Sequence, residues 1–151
     1  MYTTHYKISD FCISNQPIPK DIADKILIYH LMPLNIVQDE TPFDVRPSAN
    51  SGYRPYVWEI ARGRSGRSQH TFGEREGQNI ENEKGATDIT CEDFKANKQV
   101  LLDALIKHTN YIRFAVYETF IHADYKDTNN GKRLLFDSDS NSNWKFKQFI
   151  N

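Results

Sequence analysis

The sequence lacks a surplus of charge of either sign. Its 151 residues include 19 lysines and arginines against 20 aspartates and glutamates, which leaves a formal net charge of −1. Such a chain has no overall positive field that would draw it to nucleic acid or to an anionic membrane surface. We therefore expect a partner other than nucleic acid.

Long apolar runs are also missing. No stretch approaches the ~20 apolar residues that a membrane-spanning helix needs, so we expect no membrane span. The first residues, Met1–Lys7, are polar and lack the apolar centre of a signal peptide. The sequence thus predicts synthesis in the cytoplasm, and a substrate outside the membrane would be met only after release.

Cysteine is scarce. Cys12 and Cys91 cannot form a disulfide framework, although one bridge between them stays open, and neither belongs to a CxxC pair or lies near a histidine. They are predicted to be ordinary buried thiols. With 38% hydrophobic and 26% charged residues, the composition is globular, and the length fits a single domain over residues 1–151.

Helical periodicity marks the segment 17–33. Apolar residues recur there at helical spacing between Pro17 and Pro19 at the start and Pro33 at the end, and Pro33 is expected to end the helix. His30 lies on the apolar stripe and is predicted to be a core histidine rather than a ligand. A second helix is predicted over 92–108, with Thr90 and Asp93 resembling a capping box and an inner stripe of Phe94, Leu101, Leu102 and Leu105.

Strand signals are concentrated in the second half of the chain. Residues 61–85 are polar and glycine-rich, which predicts a long loop. Ala86–Thr90 and Leu134–Phe136 are short and β-compatible, and Tyr111–Tyr125 is the most strand-like stretch. The order of these elements predicts an α+β domain.

Two histidines and one aspartate near these strands form a candidate metal site. Catalytic zinc takes three protein ligands from His, Asp or Glu and leaves a fourth position for water, which then ionises near neutral pH. His70, Asp88 and His122 supply such a set. On residue type alone the set is weak, because a chain with 5 histidines and 20 acidic residues offers many such triples.

Four short segments make the set more specific. They are Ser51-Gly52-Tyr53-Arg54, Ser68-x-His70-x-x-Gly73, Gly85-Ala86-x-Asp88 and Phe120-Ile121-His122-x-Asp124. In this order they resemble the motifs of the D-alanyl-D-alanine carboxypeptidase family of zinc metallopeptidases, which share their fold with the zinc domain of hedgehog proteins. The resemblance covers roughly residues 8–126. It implies a central antiparallel sheet with flanking helices.

The resemblance also implies roles for single residues. His70, Asp88 and His122 would bind Zn²⁺, and Arg54 would bind the substrate or stabilise the developing oxyanion. Tyr53 and Ser68, which belong to the same motifs, would lie at the substrate, with Ser68 a turn or supporting residue rather than a nucleophile.

The sequence departs from the family pattern in two places. Residues 74–84 form an insertion between the first histidine motif and the aspartate motif, which would either line the substrate groove or be a passive surface loop. The glutamate of the family's ExxH variant is replaced by Thr119. The general base would then be Asp124 or Glu118, both on the His122 face of an extended strand, unless Asp124 only orients a ligand.

The function implied is hydrolysis of peptide bonds in the stem peptide of bacterial peptidoglycan. The enzyme would be a D-Ala-D-Ala carboxypeptidase or a stem-peptide endopeptidase, monomeric and similar to bacteriophage lysis proteins. A zinc-stabilised binding module of the same fold, without catalysis, is the alternative. A phosphate-binding role for the arginines of 62–67 is less well supported, because the net charge is near neutral.

Overall fold

The protein is built around one large sheet. A computed structural model describes residues 4–13, 16–49 and 51–150. The strands in this part of the chain are β1 (Val45–Pro47), β2 (Glu74–Arg75), β3 (Gln78–Asn79), β4 (Ala86–Cys91), β5 (Arg113–Val116), β6 (Ile121–Asp124), β7 (Arg133–Ser138) and β8 (Trp144–Ile150). Six of them form one sheet in the order β1-β4-β6-β5-β7-β8, and β2 and β3 form a separate hairpin.

The α+β class is confirmed, but the sheet is mixed rather than purely antiparallel. β5 and β7 run parallel, and the remaining pairs of the large sheet are antiparallel. The hairpin β5–β6 returns the chain beside β4, so the connection that follows must cross to the far side of β5 to place β7 there. That crossover makes a parallel pair.

The helices are α1 (Lys20–Ile26), α2 (Met32–Asp39), α3 (Tyr56–Ala61) and α4 (Phe94–His108). α4 packs on β4 and α2, and the predicted stripe of α4 is confirmed, since its four apolar residues are buried. They join the core formed by the inward side chains of β4, β5 and β6, namely Ile89, Phe114, Ile121 and Ala123. None of the helices in the described ranges is long and apolar enough to cross a membrane.

The first helix continues past Pro33, so the prediction that it ends there is wrong. α1 passes through a π-helical turn at Leu27–Leu31 into α2, whose first turn contains Pro33. Proline has no N–H for the carbonyl four residues back, which belongs to Tyr29. The Tyr125 hydroxyl donates to that oxygen over 2.6 Å. The widened turn and an outside donor therefore let the helix run through the proline.

The predicted capping box of α4 is also wrong. Asp93 precedes the helix in a left-handed conformation (φ 46°) and makes no side-chain capping bond. The Thr90 hydroxyl donates to the Thr119 carbonyl oxygen over 2.8 Å instead. It therefore ties β4 to the turn before β6, which sequence spacing does not reveal.

The strand-like stretch Tyr111–Tyr125 forms two strands rather than one. The Tyr117 N–H donates to the Phe120 carbonyl oxygen over 2.9 Å and closes a tight turn at Glu118 and Thr119, between β5 and β6. The expectation that Glu118 lies on the His122 face of a single strand is therefore incorrect, because strand alternation stops at the turn.

The insertion is anchored away from the sheet. Its hairpin β2–β3 follows the first histidine motif, and the ammonium group of Lys25 on α1 donates to the carbonyl oxygens of Phe72, Ile80 and Glu83 at 2.7, 3.1 and 2.8 Å. The hairpin lines a groove of about 1080 Å³ with α3 and Pro17–Pro19. The insertion is thus docked on the first helix.

We predict that Lys25→Met destabilises the protein by about 3 kcal/mol, because three carbonyl oxygens lose a charged donor and stay largely buried. Urea unfolding measures the change. Lys20→Met on the same helix is the control, since the Lys20 side chain is 89% exposed. Equal stability of the two variants would contradict the anchoring role of Lys25.

Candidate metal centre

The candidate ligands come from two paired strands and one tight turn. Asp88 on β4 and His122 on β6 are direct cross-strand partners, so both side chains point to the same face of the sheet. His70 lies in a 3₁₀ turn, Gln69–Thr71, which Ser68 caps by accepting a hydrogen bond from the His70 N–H. The structure thus brings together the three residues that the motifs predicted.

Their ligand atoms converge. His122 Nδ1 lies 2.9 Å and His70 Nε2 lies 3.4 Å from Asp88 Oδ1. One donor atom from each residue falls within 4.8 Å of the others, and all three side chains are buried. Two imidazole nitrogens and a carboxylate oxygen form a donor set that suits zinc and similar divalent ions. This buried group can hold a metal ion.

The remaining ring nitrogens are held by acceptors, which fixes both imidazoles. His70 Nδ1 donates to the Gly52 carbonyl oxygen over 2.9 Å, since a carbonyl can only accept. His122 Nε2 lies 2.8 Å from Asp124 Oδ2. Each ring therefore turns its other nitrogen toward Asp88. Such outer partners are typical of metal-binding histidines.

Gly52 can hold His70 only because it is glycine. Its φ is +84°, and a Cβ there would lie 2.0 Å from the Phe11 carbonyl oxygen. Beside it, the Ser51 hydroxyl accepts from the Asp88 N–H at 2.7 Å and lies 3.1 Å from the Asp88 carbonyl oxygen. The serine and glycine of the first motif are thus positioning residues for two of the candidate ligands.

Asp124 supports His122 and is fully engaged. Arg113 donates to its two carboxylate oxygens at 2.9 and 2.6 Å, and the Asp124 side chain is 0% exposed. Burial alone would raise the pKa of Asp124, but hydrogen bonds from His122 and Arg113 outweigh it and hold the pKa below its usual range. An ionised, paired carboxylate orients a ligand well and is a poor proton acceptor.

Without a metal ion, the imidazoles and carboxylates of the cluster shift one another's pKa values. Burial would raise the pKa of Asp88, but the neighbouring His70 and His122 hold it well below its usual range. Burial opposes the charged form of His122, but hydrogen bonds to Asp124 and Asp88 raise its pKa to about 9. A bound metal ion would therefore displace a proton from His122 Nδ1.

Arg54 reaches the cluster from the first motif. Its Nη2 lies 3.8 Å from Asp88 Oδ2, and its backbone N–H donates to the His70 carbonyl oxygen over 2.8 Å. The long contact with Asp88 leaves most guanidinium donors available to a ligand. Arg54 thus lies beside the candidate ligands and lines the same cleft.

A cleft of about 410 Å³ opens over the candidate ligands. Ser68, Arg54 and Phe120 line it from the motif segments, and four further residues contribute that the motifs do not identify: Arg64, Tyr117, Ser142 and Trp144. Ser142 and Trp144 lie beyond the region of resemblance, so no motif could have indicated them. Arg64 belongs to the arginine run of 62–67, and it pairs with buried Glu59 at 3.1 Å.

Two predicted residues and the insertion lie outside this cleft. Tyr53 is 1% exposed, and its hydroxyl donates to Glu74 over 2.8 Å, so the structure gives it a core position. Glu118 is exposed in the β5–β6 turn and borders a neighbouring depression with Lys98. Residues 74–84 do not contribute to the lining of the cleft.

His30 is a core histidine behind the site, as predicted. Nε2 donates to the Lys84 carbonyl oxygen, and Nδ1 lies 2.8 Å from both the Tyr111 and the Thr87 hydroxyl oxygens. Complete burial lowers its pKa from the ordinary 6.5 to about 3. The folded protein thus keeps this ring neutral at pH values at which an unfolded chain would protonate it.

The consequence of this lowered pKa is a loss of stability with acid. Between pH 6.5 and about 3 only the unfolded state binds the proton, so the free energy of unfolding falls as pH decreases. We expect His30 to contribute about 1.4 kcal/mol per pH unit in that window. Urea unfolding of the metal-free protein at pH 6.5 and 4.5 measures this. The free energy of unfolding should fall less between the two pH values for His30→Gln than for the wild type. An equal drop would contradict the argument.

Comparison with protein-family models, with curated proteins and with solved structures gives no match to this chain. The site is therefore interpreted from its own geometry.

A metal-affinity measurement tests the role of Asp124. Asp124→Asn removes the charged partner of His122, and we expect the affinity for Zn²⁺ to fall about 10- to 100-fold in competition with a chromogenic chelator. Asp127→Asn is the control, because Asp127 is exposed just beyond β6. Unchanged affinity in Asp124→Asn would show that His122 needs no such support.

Proposed function

We propose that this protein is a zinc-dependent peptidase that hydrolyses peptide bonds in the stem peptides of bacterial peptidoglycan. The observation that carries the proposal is the convergence of His70 Nε2, Asp88 and His122 Nδ1 in a cleft that also contains Arg54. The order of the four motif segments around these residues, which resembles that of D-alanyl-D-alanine carboxypeptidases, supplies the substrate class.

Zinc is the metal that fits the donor set best. Sites with two imidazoles and one carboxylate are typical of hydrolytic zinc, and the cleft beside the ligands leaves space for water and substrate. Zinc bound there would supply Lewis acidity and a water of lowered pKa. The chain would hold it through His70, Asp88 and His122.

The chain's own residues would bind the substrate at this point. Arg54 is 19% exposed in its side chain and presents guanidinium donors to the cleft. It would bind a carboxylate of the stem peptide or the oxygen of the scissile carbonyl as negative charge develops there. Ser68 and Gly52 would keep His70 in place, and Arg113 would do the same for His122 through Asp124.

Of the two candidate bases, Glu118 is favoured over Asp124. Asp124 is buried and bonded to Arg113 and His122, so proton transfer to it would break that pair. Glu118 is exposed between Tyr117 and Phe120, and both of these neighbours line the cleft. From this position beside the cleft the Glu118 carboxylate would accept the proton.

The cellular setting follows from the same proposal. A peptidase of this kind would act on the bacterial cell wall, as bacteriophage lysis enzymes do. The cleft is lined by polar and aromatic side chains, which suits a short, charged stem peptide better than an apolar ligand.

A second function is favoured by one observation. Among the described residues, Asp88 is the only carboxylate that lines the cleft. A site without a proton acceptor would hold zinc and bind a cell-wall or protein ligand without cutting it. Such a non-catalytic zinc-stabilised module is the alternative.

Zinc analysis combined with digestion of purified peptidoglycan tests both functions. The wild-type protein should carry about one zinc per chain and release fragments detectable by mass spectrometry. His70→Ala should lose both properties. Glu118→Gln should keep the zinc and lower kcat about 100-fold, because a general base is lost.

His108→Ala is the matched control, since His108 lies at the end of α4. It should retain zinc and activity. Zinc binding without any released fragment would favour the binding module, and a wild-type protein that binds no zinc would contradict both functions.

A further inference from the structure

A row of aromatic rings leads away from the candidate metal centre. Trp144 packs on the His122 ring, with ring centres 5.2 Å apart. Phe136 follows at 5.2 Å from Trp144, Phe146 at 5.9 Å from Phe136, and Phe149 at 5.0 Å from Phe146. We call these four side chains, Trp144, Phe136, Phe146 and Phe149, the aromatic track.

Strand register places the track on the face of the sheet that carries the ligands. His122 pairs with Ala115, Ala115 with Phe136, and Phe136 with Phe146. Directly opposed residues point to the same side of a sheet. The irregularity between Leu135 and Phe136 shifts the register, so that Phe149, opposite Leu134, joins the same face. Three strand spacings separate His122 from Phe146, which is about 14 Å.

The outer end of the track is open to solvent. Phe146 is 47% and Phe149 is 55% exposed, on the edge strand of the sheet. The ammonium group of Lys132 lies 4.6 Å from the centre of the Phe149 ring.

We propose that the aromatic track binds the glycan strand of peptidoglycan while a stem peptide lies in the cleft. The inference rests on the proposed function for the identity of the polymer. Sugar rings present apolar C–H faces that stack on aromatic faces, whose quadrupole attracts those hydrogens. Lys132 adds a positive charge that suits a wall polymer with carboxylates. Continuity with the cleft fits a substrate in which peptide and glycan are covalently joined.

A second copy of the chain fits this surface less well. β8 carries Lys145 and Lys147, and lysines on an edge strand oppose its pairing with another edge. The charges therefore favour a ligand of opposite sign over self-association.

Titration with a soluble hexamer of β-1,4-linked N-acetylglucosamine tests the track without hydrolysis. In NMR spectra of the wild-type protein, the backbone amide chemical shifts of β7 and β8 should change as the hexamer is added. The double variant Phe146→Ala, Phe149→Ala should bind about tenfold more weakly, because two stacking faces are lost. Met32→Ala is the matched control, since Met32 is also 47% exposed but lies on α2. It should bind like the wild type.

Absence of shifts at β7 and β8, or equal affinity of the double variant, would overturn the inference. The inference would also be overturned if sedimentation showed the wild-type protein to be a dimer and the double variant to be a monomer. Release of peptide fragments without hexamer binding would contradict the glycan site and support the peptidase proposal. Hexamer binding at the track without peptide release would support the glycan site and contradict the peptidase.

Discussion

The pairing of Asp88 with His122 across β4 and β6 is the constraint on which the candidate site depends. A slip of one residue would turn one of the two side chains to the opposite face, among the core residues under α4. Ser51 prevents such a slip by bonding to both backbone groups of Asp88. On the other face, Ile89 and Ile121 are partners in the same ladder and are fully buried. Core packing and ligand geometry are thus fixed by one register.

Buried charge is costly, and this site contains a chain of it. Arg113, Asp124, His122 and Asp88 follow one another at hydrogen-bonding distance. Pairs of this kind rarely stabilise a fold more than apolar residues of similar volume would. Their cost is easier to understand if the cluster has a ligand to hold. This series of contacts also orients the His122 ring so that Nδ1 faces Asp88.

The sequence was informative where function depends on short local segments. The structure brings His70, Asp88 and His122 together, and each sits in a motif whose neighbours position it. The predictions failed where a distant contact decides the outcome. Pro33 does not end its helix because Tyr125 supplies the missing donor. Asp93 does not cap α4 because its backbone is left-handed.

Side-chain alternation misled the prediction in the same way. Alternation along one strand predicts Glu118 beside His122, whereas a turn places it outside the cleft. The distinction depends on whether the chain reverses at Glu118 and Thr119, which no apolar pattern in the stretch reveals. The motif predicts Tyr53 at the substrate, whereas Tyr53 packs on Phe72 in the core. Motifs identify which segments form a site but not which side chains face it.

The C-terminal hairpin shows why a site cannot be bounded by its motifs. Trp144 packs on His122, lies 4.8 Å from the Arg113 guanidinium and donates to the Tyr117 hydroxyl over 2.8 Å. Trp144 therefore contacts both the candidate metal ligand His122 and Arg113, which holds the Asp124 carboxylate that supports His122. β8 contributes little to the core, because most of its side chains are exposed. An edge strand that buries so little and yet closes the wall of a cleft is better explained by what the cleft binds than by the stability of the fold.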